Sequence, residues 1–347
     1  WTEARPISPL APACFSFCKK SPNANLLGIG MTDPLIITDS PESLAGLGGL
    51  IPKTPCNPIA LSDWGDDTKR AWQAVGGAAD AAPVTASGLV PWRQIMAVGR
   101  SPVSQVDGLR ELLQSGQAPP SPFACLAFTG DGFHGNRGRP WQALEGNLHL
   151  TVLFSPNRPA RELGVGLSIV PTLAVADALG QFDALGQAIK IKWVNDVLLD
   201  GKKVSGVITS TLAKGELIEH AILGIGVNIA ATPTLQPGRF VQPPVCLREA
   251  APDALITLPV FLPVLLERLA KRHEQLLTGG PGPLLRDYTA LSCVIGREVE
   301  IWEETAGETD SPKMITKGMV EAIHQDLALA LEGQAEPVHR GRLVFAD

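Results

Sequence analysis

The chain has 347 residues, 45% of them hydrophobic and 18% charged, with a formal net charge of −6. That is enough for two or three domains around a substantial core, and it excludes a disordered polymer. The acidic balance argues against nucleic acid as the main partner, because neutralising phosphates needs a basic surface.

The first Met is Met31, and the segment before it is read as a mis-assigned start, an expression remnant or a transit-like extension without weight in the fold. The six cysteines (Cys14, Cys18, Cys56, Cys125, Cys246 and Cys293) form no CxxC pair. No zinc site is expected, and a reducing, cytoplasmic setting is. No apolar run reads as long enough to cross a bilayer, so no membrane partner is expected.

Residues 1–92 are rich in Pro, Gly and Ala; Asp63–Asp67 is acidic, and Ala71–Ala82 reads as one short helix. There is no pair of patterned helices with a basic second member, as a helix-turn-helix requires. From Trp92 the pattern sharpens. Trp92–Val98 reads as a strand, Val106–Leu113 as an amphipathic helix and Phe123–Thr129 as an apolar strand. A Gly-rich loop over 130–139 carries two arginines and leads to a strand at Leu148–Phe154. Leu163–Leu179 is an apolar helix that Pro171 should bend.

A meander follows. Ala188–Trp193 is a strand, and Val197–Leu199 and Lys202–Thr209 form a hairpin around Asp200-Gly201, a pair suited to a turn with two positive φ angles. Lys214-Gly215 marks a second turn before a strand region over Leu217–Ile229. Leu258–Leu277 and Leu284–Leu291 are helices. Short strands at Val294–Trp302, Met319–His324, Leu327–Glu332 and Glu336–Phe345 suggest a small all-β unit.

Three segments carry chemistry. Lys192 interrupts an apolar strand pattern in Lys192-Trp193-Val194-Asn195-Asp196, and a lysine so placed needs an anionic partner unless it lies on an edge strand. Gly206, Gly224 and Gly226 fall inside strands, which calls for a bulge or the close approach of another group. Asn228 closes the run Gly224-Ile225-Gly226-Val227-Asn228.

In this order, KWVNDVLLDGKKVSGVITS and ILGIGVNI resemble the catalytic domain of biotin protein ligases, whose pattern is KWPND, a hairpin, a Lys-x-x-Gly-Ile strand and Gly-x-Gly-x-Asn. The resemblance covers about residues 93–345. It implies an α+β fold: a biotin/lipoate ligase-like mixed sheet packed with helices, plus a small C-terminal SH3-like β-barrel. The implied divisions are an N-terminal extension of unassigned role (1–92), a catalytic domain (93–291) and the C-terminal unit (292–347).

The family's loop, GRGRxGRxW, matches here in Gly135, Arg137, Gly138, Arg139 and Trp141. Phe133 stands where a glycine is usual, and His134 and Asn136 where basic residues are usual. Asn-Leu recurs as Asn147-Leu148. Thr129 is the candidate for the family's Gln-Thr threonine, and Ser101 or Ser104 for its ureido-binding serine, although Ser104 reads equally well as a helix N-cap.

The implied activity is ATP-dependent formation of biotinyl-adenylate and transfer of biotin to a lysine of a biotin carboxyl carrier protein, with ATP, Mg²⁺ and biotin as the small molecules. Lys192 and Arg137 are then the catalytic candidates. Gly135, Gly138, Arg139, Trp141, Trp193, Asn195, Lys203, Gly206, Gly224, Gly226, Asn228, Ser104 and Thr129 are substrate-binding candidates, and Asn228 with Asp196 would meet Mg²⁺–ATP. Trp141 and Trp193 would wall the biotin tail, or else simply pack the core. Asn136, in place of arginine, is expected to let adenylate escape. Two alternatives stay open: a lipoate or other acyl ligase of the same superfamily, and a catalytically weak binding paralogue. A homodimer is also left open.

Overall fold

A computed structural model describes residues 35–40, 59–60, 64–77, 80–85, 91–92, 94–304 and 312–346. The readings on residues 1–34 and on Cys14, Cys18 and Cys56 lie outside the described residues. The strands, in chain order, are β1 (Leu35–Thr38), β2 (Ile59–Ala60), β3 (Asp80–Thr85), β4 (Gln94–Ser101), β5 (Phe123–Gly130), β6 (Leu148–Phe154), β7 (Arg158–Pro159) and β8 (Ile189–Lys192). They continue with β9 (Asp196–Leu199), β10 (Lys202–Lys214), β11 (Leu217–Val227), β12 (Glu298–Trp302), β13 (Met314–Ile323), β14 (Leu329–Leu331) and β15 (Arg342–Phe345). The longer helices are α1 (Asp66–Ala74), α2 (Gln105–Gln114), α3 (Gly166–Leu179), α4 (Leu258–Gly279) and α5 (Pro281–Leu291).

One mixed sheet runs in the order β2-β3-β1-β4-β5-β6-β11-β10-β9-β8, with β7 added on β11. The β1–β4 and β4–β5 pairs are parallel and the other ladders antiparallel. Because side chains alternate across a strand, the sheet feeds two cores. Ile95, Ala97, Ala124, Leu126, Leu150 and Val152 face the α3–α4 layer. Met96, Val98, Phe123, Cys125 and Ala127 face Trp72 of α1 and Leu109 of α2. Every residue of β6 is buried, as expected for a central strand covered on both sides.

The described part of residues 1–92 adds β1, β2 and β3 to this sheet and packs α1 on α2. The helix expected over Ala71–Ala82 is corrected. α1 ends at Ala74, Gly76 takes φ +87°, and Asp80–Thr85 pairs instead with β1. Sheet pairing overrides the helix propensity of the alanines.

α3 is apolar all round, with twelve of its fourteen residues buried, and it is the centre of the second layer. It starts at Gly166 rather than at Leu163, after Gly164 at φ +49°. Contrary to the sequence reading, Ala160–Leu179 is long and apolar enough to cross a membrane by length and composition; 72% of that stretch is buried inside the fold. Arg272 of α4 ties the layer together. It binds Asp177 of α3 in a bidentate pair at 2.6 and 2.9 Å and also reaches Asp287 of α5.

The C-terminal strands form an open antiparallel sheet, β14-β13-β12-β15, not the closed barrel expected. β14 has three residues and only an isolated bridge beyond β13, Leu329 to Val338. Closure needs strands long enough to tilt around and meet. Trp193 docks this sheet on the main body, its indole N–H donating to the Leu327 carbonyl at 2.8 Å.

Candidate functional site

Register builds the site. One row of paired residues crosses the sheet: Ala127 on β5, His149 on β6, Gly226 on β11, Gly206 on β10, Asp196 on β9 and Lys192 on β8. Its side chains lie on the α2 side of the sheet. There α2 packs over β4 and β5 and reaches β11 through Val106 at Gly224, leaving Gly206 and Gly226 to other groups.

The segment after β5 folds back as an arch. Trp141 N–H donates to the Phe133 carbonyl at 2.9 Å, Gly135 N–H to the Arg139 carbonyl at 2.7 Å, and His134 bridges Pro140. The Trp141 indole is thereby laid on the paired glycines. A Cβ on Gly226 would come within 2.3 Å of its ring, and one on Gly206 within 3.5 Å. These strand glycines therefore mark the close approach of an aromatic side chain. Gly224 likewise makes room for Val106 and Ile208.

His149 holds the indole from the other side. Trp141 Nε1–H donates to His149 Nδ1 at 3.3 Å, and His149 Nε2 lies 3.0 Å from the Leu144 carbonyl. Such partners fit the neutral Nε2–H tautomer. Burial pushes the ring pKa down to about 4, so it stays uncharged.

At the far end of the row, Lys192 Nζ donates to Gln242 Oε1 at 2.9 Å and stands 5.3 Å from the Phe345 ring. Burial lowers its pKa, against the nearby Asp196 charge. Asp196 itself is paired with Lys203 at 2.7 Å. A half-buried ammonium held by a neutral amide leaves room for a further anionic partner. The arch tip brings Arg137, at φ +60°, and Arg139 over the same space. Arg137 is 60% exposed and lies 2.6 Å from Glu304, which follows β12.

Together these surround a cleft of about 450 Å³, in the size range of small-molecule sites. Of the residues singled out from sequence, Lys192, Arg137, Gly135, Arg139, Trp141, Trp193, Asn195, Asp196, Lys203, Gly206, Gly224, Gly226 and Ser104 line it. Gly138, Thr129 and Asn228 do not. Thr129 Oγ1 donates to the Gly99 carbonyl at 3.2 Å. Ser101 Oγ turns away to the Val75 and Val103 carbonyls. Asn195 Nδ2 braces the Val207 carbonyl.

Asn228 Nδ2 is engaged by the Lys203 and Val245 carbonyls, and its Oδ1 is buried without a partner. An orphaned amide oxygen suits a hard cation, yet Asn228 is 1% exposed and lies outside the cleft lining. Asp196 is already matched to a lysine. Among the described residues no group of three His, Cys, Asp or Glu could hold a metal. The site therefore does not fit a magnesium ion held by the protein alone.

Sequence reasoning missed His149, Gln242, Glu304 and Arg342, all of which line the cleft. Arg342 comes from β15 and lies 4.1 Å over Phe240. None has a local sequence signal, because His149 reaches the site through register, Glu304 and Arg342 through the C-terminal sheet, and Gln242 from the segment that follows β11. Asn147 is a brace: its Oδ1 accepts the N–H groups of Ile229, Ala230 and Ala231, each at 2.9 Å, and fixes the chain leaving β11.

Comparison with known proteins follows the same lines. Residues 112–228 match the profile of the biotin/lipoate A/B protein ligase family. A biotin–protein ligase structure from Aquifex aeolicus, in complex with biotin and ATP, superposes with a TM-score of 0.55 at 20% identity, covering 73% of this chain and 98% of that one. That likeness places the fold in the class of biotin protein ligases. A biotin–[acetyl-CoA-carboxylase] ligase from Paracoccus denitrificans is 32% identical over 204 residues, covering 58% of this chain and 80% of the relative. The bifunctional ligase/repressor BirA of Bacillus subtilis is 29% identical over 163 residues, and the match spans about half of that relative, 49%. The chain belongs to the biotin protein ligase family.

Proposed function

We propose that the chain activates biotin with ATP and transfers it to a lysine of a carrier protein. One observation carries this reading: a half-buried Lys192 ammonium at one end of a cleft, an aromatic wall on two strand glycines at the other, and an arginine-bearing arch above. The wall of Trp141, Val106 and Ile208 suits an apolar acyl tail. The cations suit a carboxylate and phosphates.

In the first step the biotin carboxylate oxygen attacks the α-phosphorus of ATP and pyrophosphate leaves. In the second the carrier amine attacks the acyl carbonyl and AMP leaves. Lys192 would bind the carboxylate and α-phosphate oxygens, and Arg137 and Arg139 the phosphates. Ser104 would meet the ureido end, and Lys203, released from Asp196, a further oxygen. Magnesium would enter with the triphosphate as its counter-ion. The division into an extension (1–92), a catalytic domain (93–291) and a C-terminal unit (292–347) belongs to the same reading, as does the biotin carboxyl carrier domain of a carboxylase as partner. A cytoplasmic setting is supported by free thiols at Cys125, Cys246 and Cys293.

Calorimetric binding of biotin and of lipoate, each with and without a non-hydrolysable ATP analogue, tests the reading. Biotin should bind, and more tightly with nucleotide. Binding of lipoate alone would move the substrate to another acyl group, and binding of neither would remove the activity. Lys192→Gln should slow adenylation by about a hundredfold or more, the scale of losing one preorganised charge at a reacting centre.

A further inference from the structure

The arch that carries Arg137 and Arg139 is anchored on its first arm through His134, which is a quarter exposed (25%). His134 Nε2 lies 2.6 Å from Asp107 Oδ2 on α2, and His134 Nδ1 lies 3.2 Å from the Gly135 carbonyl. A carbonyl only accepts hydrogen bonds, and so does an ionised carboxylate. A neutral imidazole owns one N–H and can satisfy one of these acceptors; an imidazolium owns two and satisfies both.

The anchor continues into the sheet. Asp107 Oδ1 accepts from Arg110 Nη1 at 2.6 Å, and Arg110 Nε donates to Ser210 Oγ of β10 at 3.3 Å. The charged groups facing the ring from α2 are thus Asp107 and Arg110, while Arg137 and Arg139 stand on its own arch. Behind Phe133, the sheet presents His149, which is neutral.

We propose that His134, as an imidazolium bridging the Asp107 carboxylate and the Gly135 carbonyl, is a positioning residue that holds the arginine-bearing arch over the cleft and makes its closure depend on pH. Partial burial pulls the ring's pKa down. The Asp107 hydrogen bond, the Gly135 carbonyl and the Asp107 charge outweigh that and the opposing Arg110, leaving it raised from the ordinary 6.5. Below that raised value the ring is charged and the arch is held. As pH climbs through it the proton leaves, one contact breaks and the arch loosens. The substrate affected, biotinyl-adenylate, rests on the ligase reading; the anchor's geometry does not.

The test has two arms, both on the full chain. Without ligand, the six histidine rings are titrated by NMR and the His134 signal is assigned with His134→Gln. His134 should titrate above 6.5 and fall back in Asp107→Asn. Titration at or below 6.5 overturns the proposal and leaves the ligase reading untouched. In the second arm, release of biotinyl-adenylate is timed between about pH 6 and about pH 9, the range in which a histidine changes charge. Native release should quicken about fivefold toward the alkaline end, the scale of one partly exposed charged contact. His134→Arg, a permanent cation, should stay slow throughout, and His134→Gln fast throughout. Parallel curves for all three overturn the proposal. If no adenylate forms at any pH, the ligase reading fails by itself. Hydrogen exchange of the 133–139 amides, corrected for intrinsic pH dependence, then decides: exchange that rises with His134 deprotonation in the native chain but not in His134→Arg supports the anchor, and equal exchange overturns it.

Discussion

A methyl group on Gly226 would sit 2.3 Å from the Trp141 indole, closer than any stable contact allows. Gly226→Ala should therefore lift the aromatic wall off the sheet, costing about 1–3 kcal/mol as an overpacked site does. Thermal unfolding would read that cost, and biotin affinity should fall with it. Unchanged affinity would mean that the indole is not the wall of the pocket. Asn136 makes a second prediction at this scale. It lines the cleft at the arch tip, where the family resemblance has a basic residue. Asn136→Arg should slow adenylate release about tenfold, one charge-assisted contact's worth, and unchanged release would remove any retaining role for that position. Gly206, Gly224 and Gly226 were legible in the sequence because glycine weakens a strand and needs a cause. The causes, an indole arriving from a distant arch at Gly206 and Gly226 and the Val106 and Ile208 side chains at Gly224, were not. His149 was illegible altogether, since a histidine within an alternating apolar run looks like any core position until the register puts it beside Gly226.

At the scale of elements, the ion-pair cluster of Arg272 with Asp177 and Asp287 joins three helices far from the cleft. Arg272 is 15% exposed and its partners are wetter, at 25% and 48%. Arg272→Ala should cost about 2–3 kcal/mol, less than a fully buried pair because solvent screens part of it. The loss should appear in denaturant unfolding, with biotin affinity unmoved. An equal loss of affinity would show that the helical layer tunes the site. The meander was the most legible part of the fold, because Asp200-Gly201 announces its hairpin and both residues adopt positive φ, 46° and 76°. The C-terminal sheet was legible as strands but not as an open sheet. Closure depends on whether terminal strands can meet, which strand composition does not encode. The strand at Asp80–Thr85 was hidden because its alanines favour a helix and only its partner β1 makes it extended.

For the whole molecule, two histidines, His149 buried and His273 half-buried, set an acid limit. His149 and His273 both have folded pKa values lowered to about 4 by burial, against 6.5 when exposed. Between those values the unfolded chain takes up protons that the fold refuses, so stability falls as pH drops from 6.5 toward 4. His149 alone should account for on the order of 3 kcal/mol across that window. Melting temperature measured along it should decline, and less steeply in His149→Asn; identical slopes would show that the ring is solvated after all. The cleft itself owes its composition to counting along one strand. Lys203 and Gly206 are three residues apart, an odd step that should put them on opposite faces of β10. They share the cleft because the register slips between Lys203 and Ser205. That irregularity acts as a frame shift written into the backbone. Val204 is the extra residue; without that slip, strict alternation over the same four residues would turn Lys203 toward the helical core and leave Asp196 without its lysine. One unpaired apolar residue, itself without charge, thus sets the charge pattern of the whole cleft.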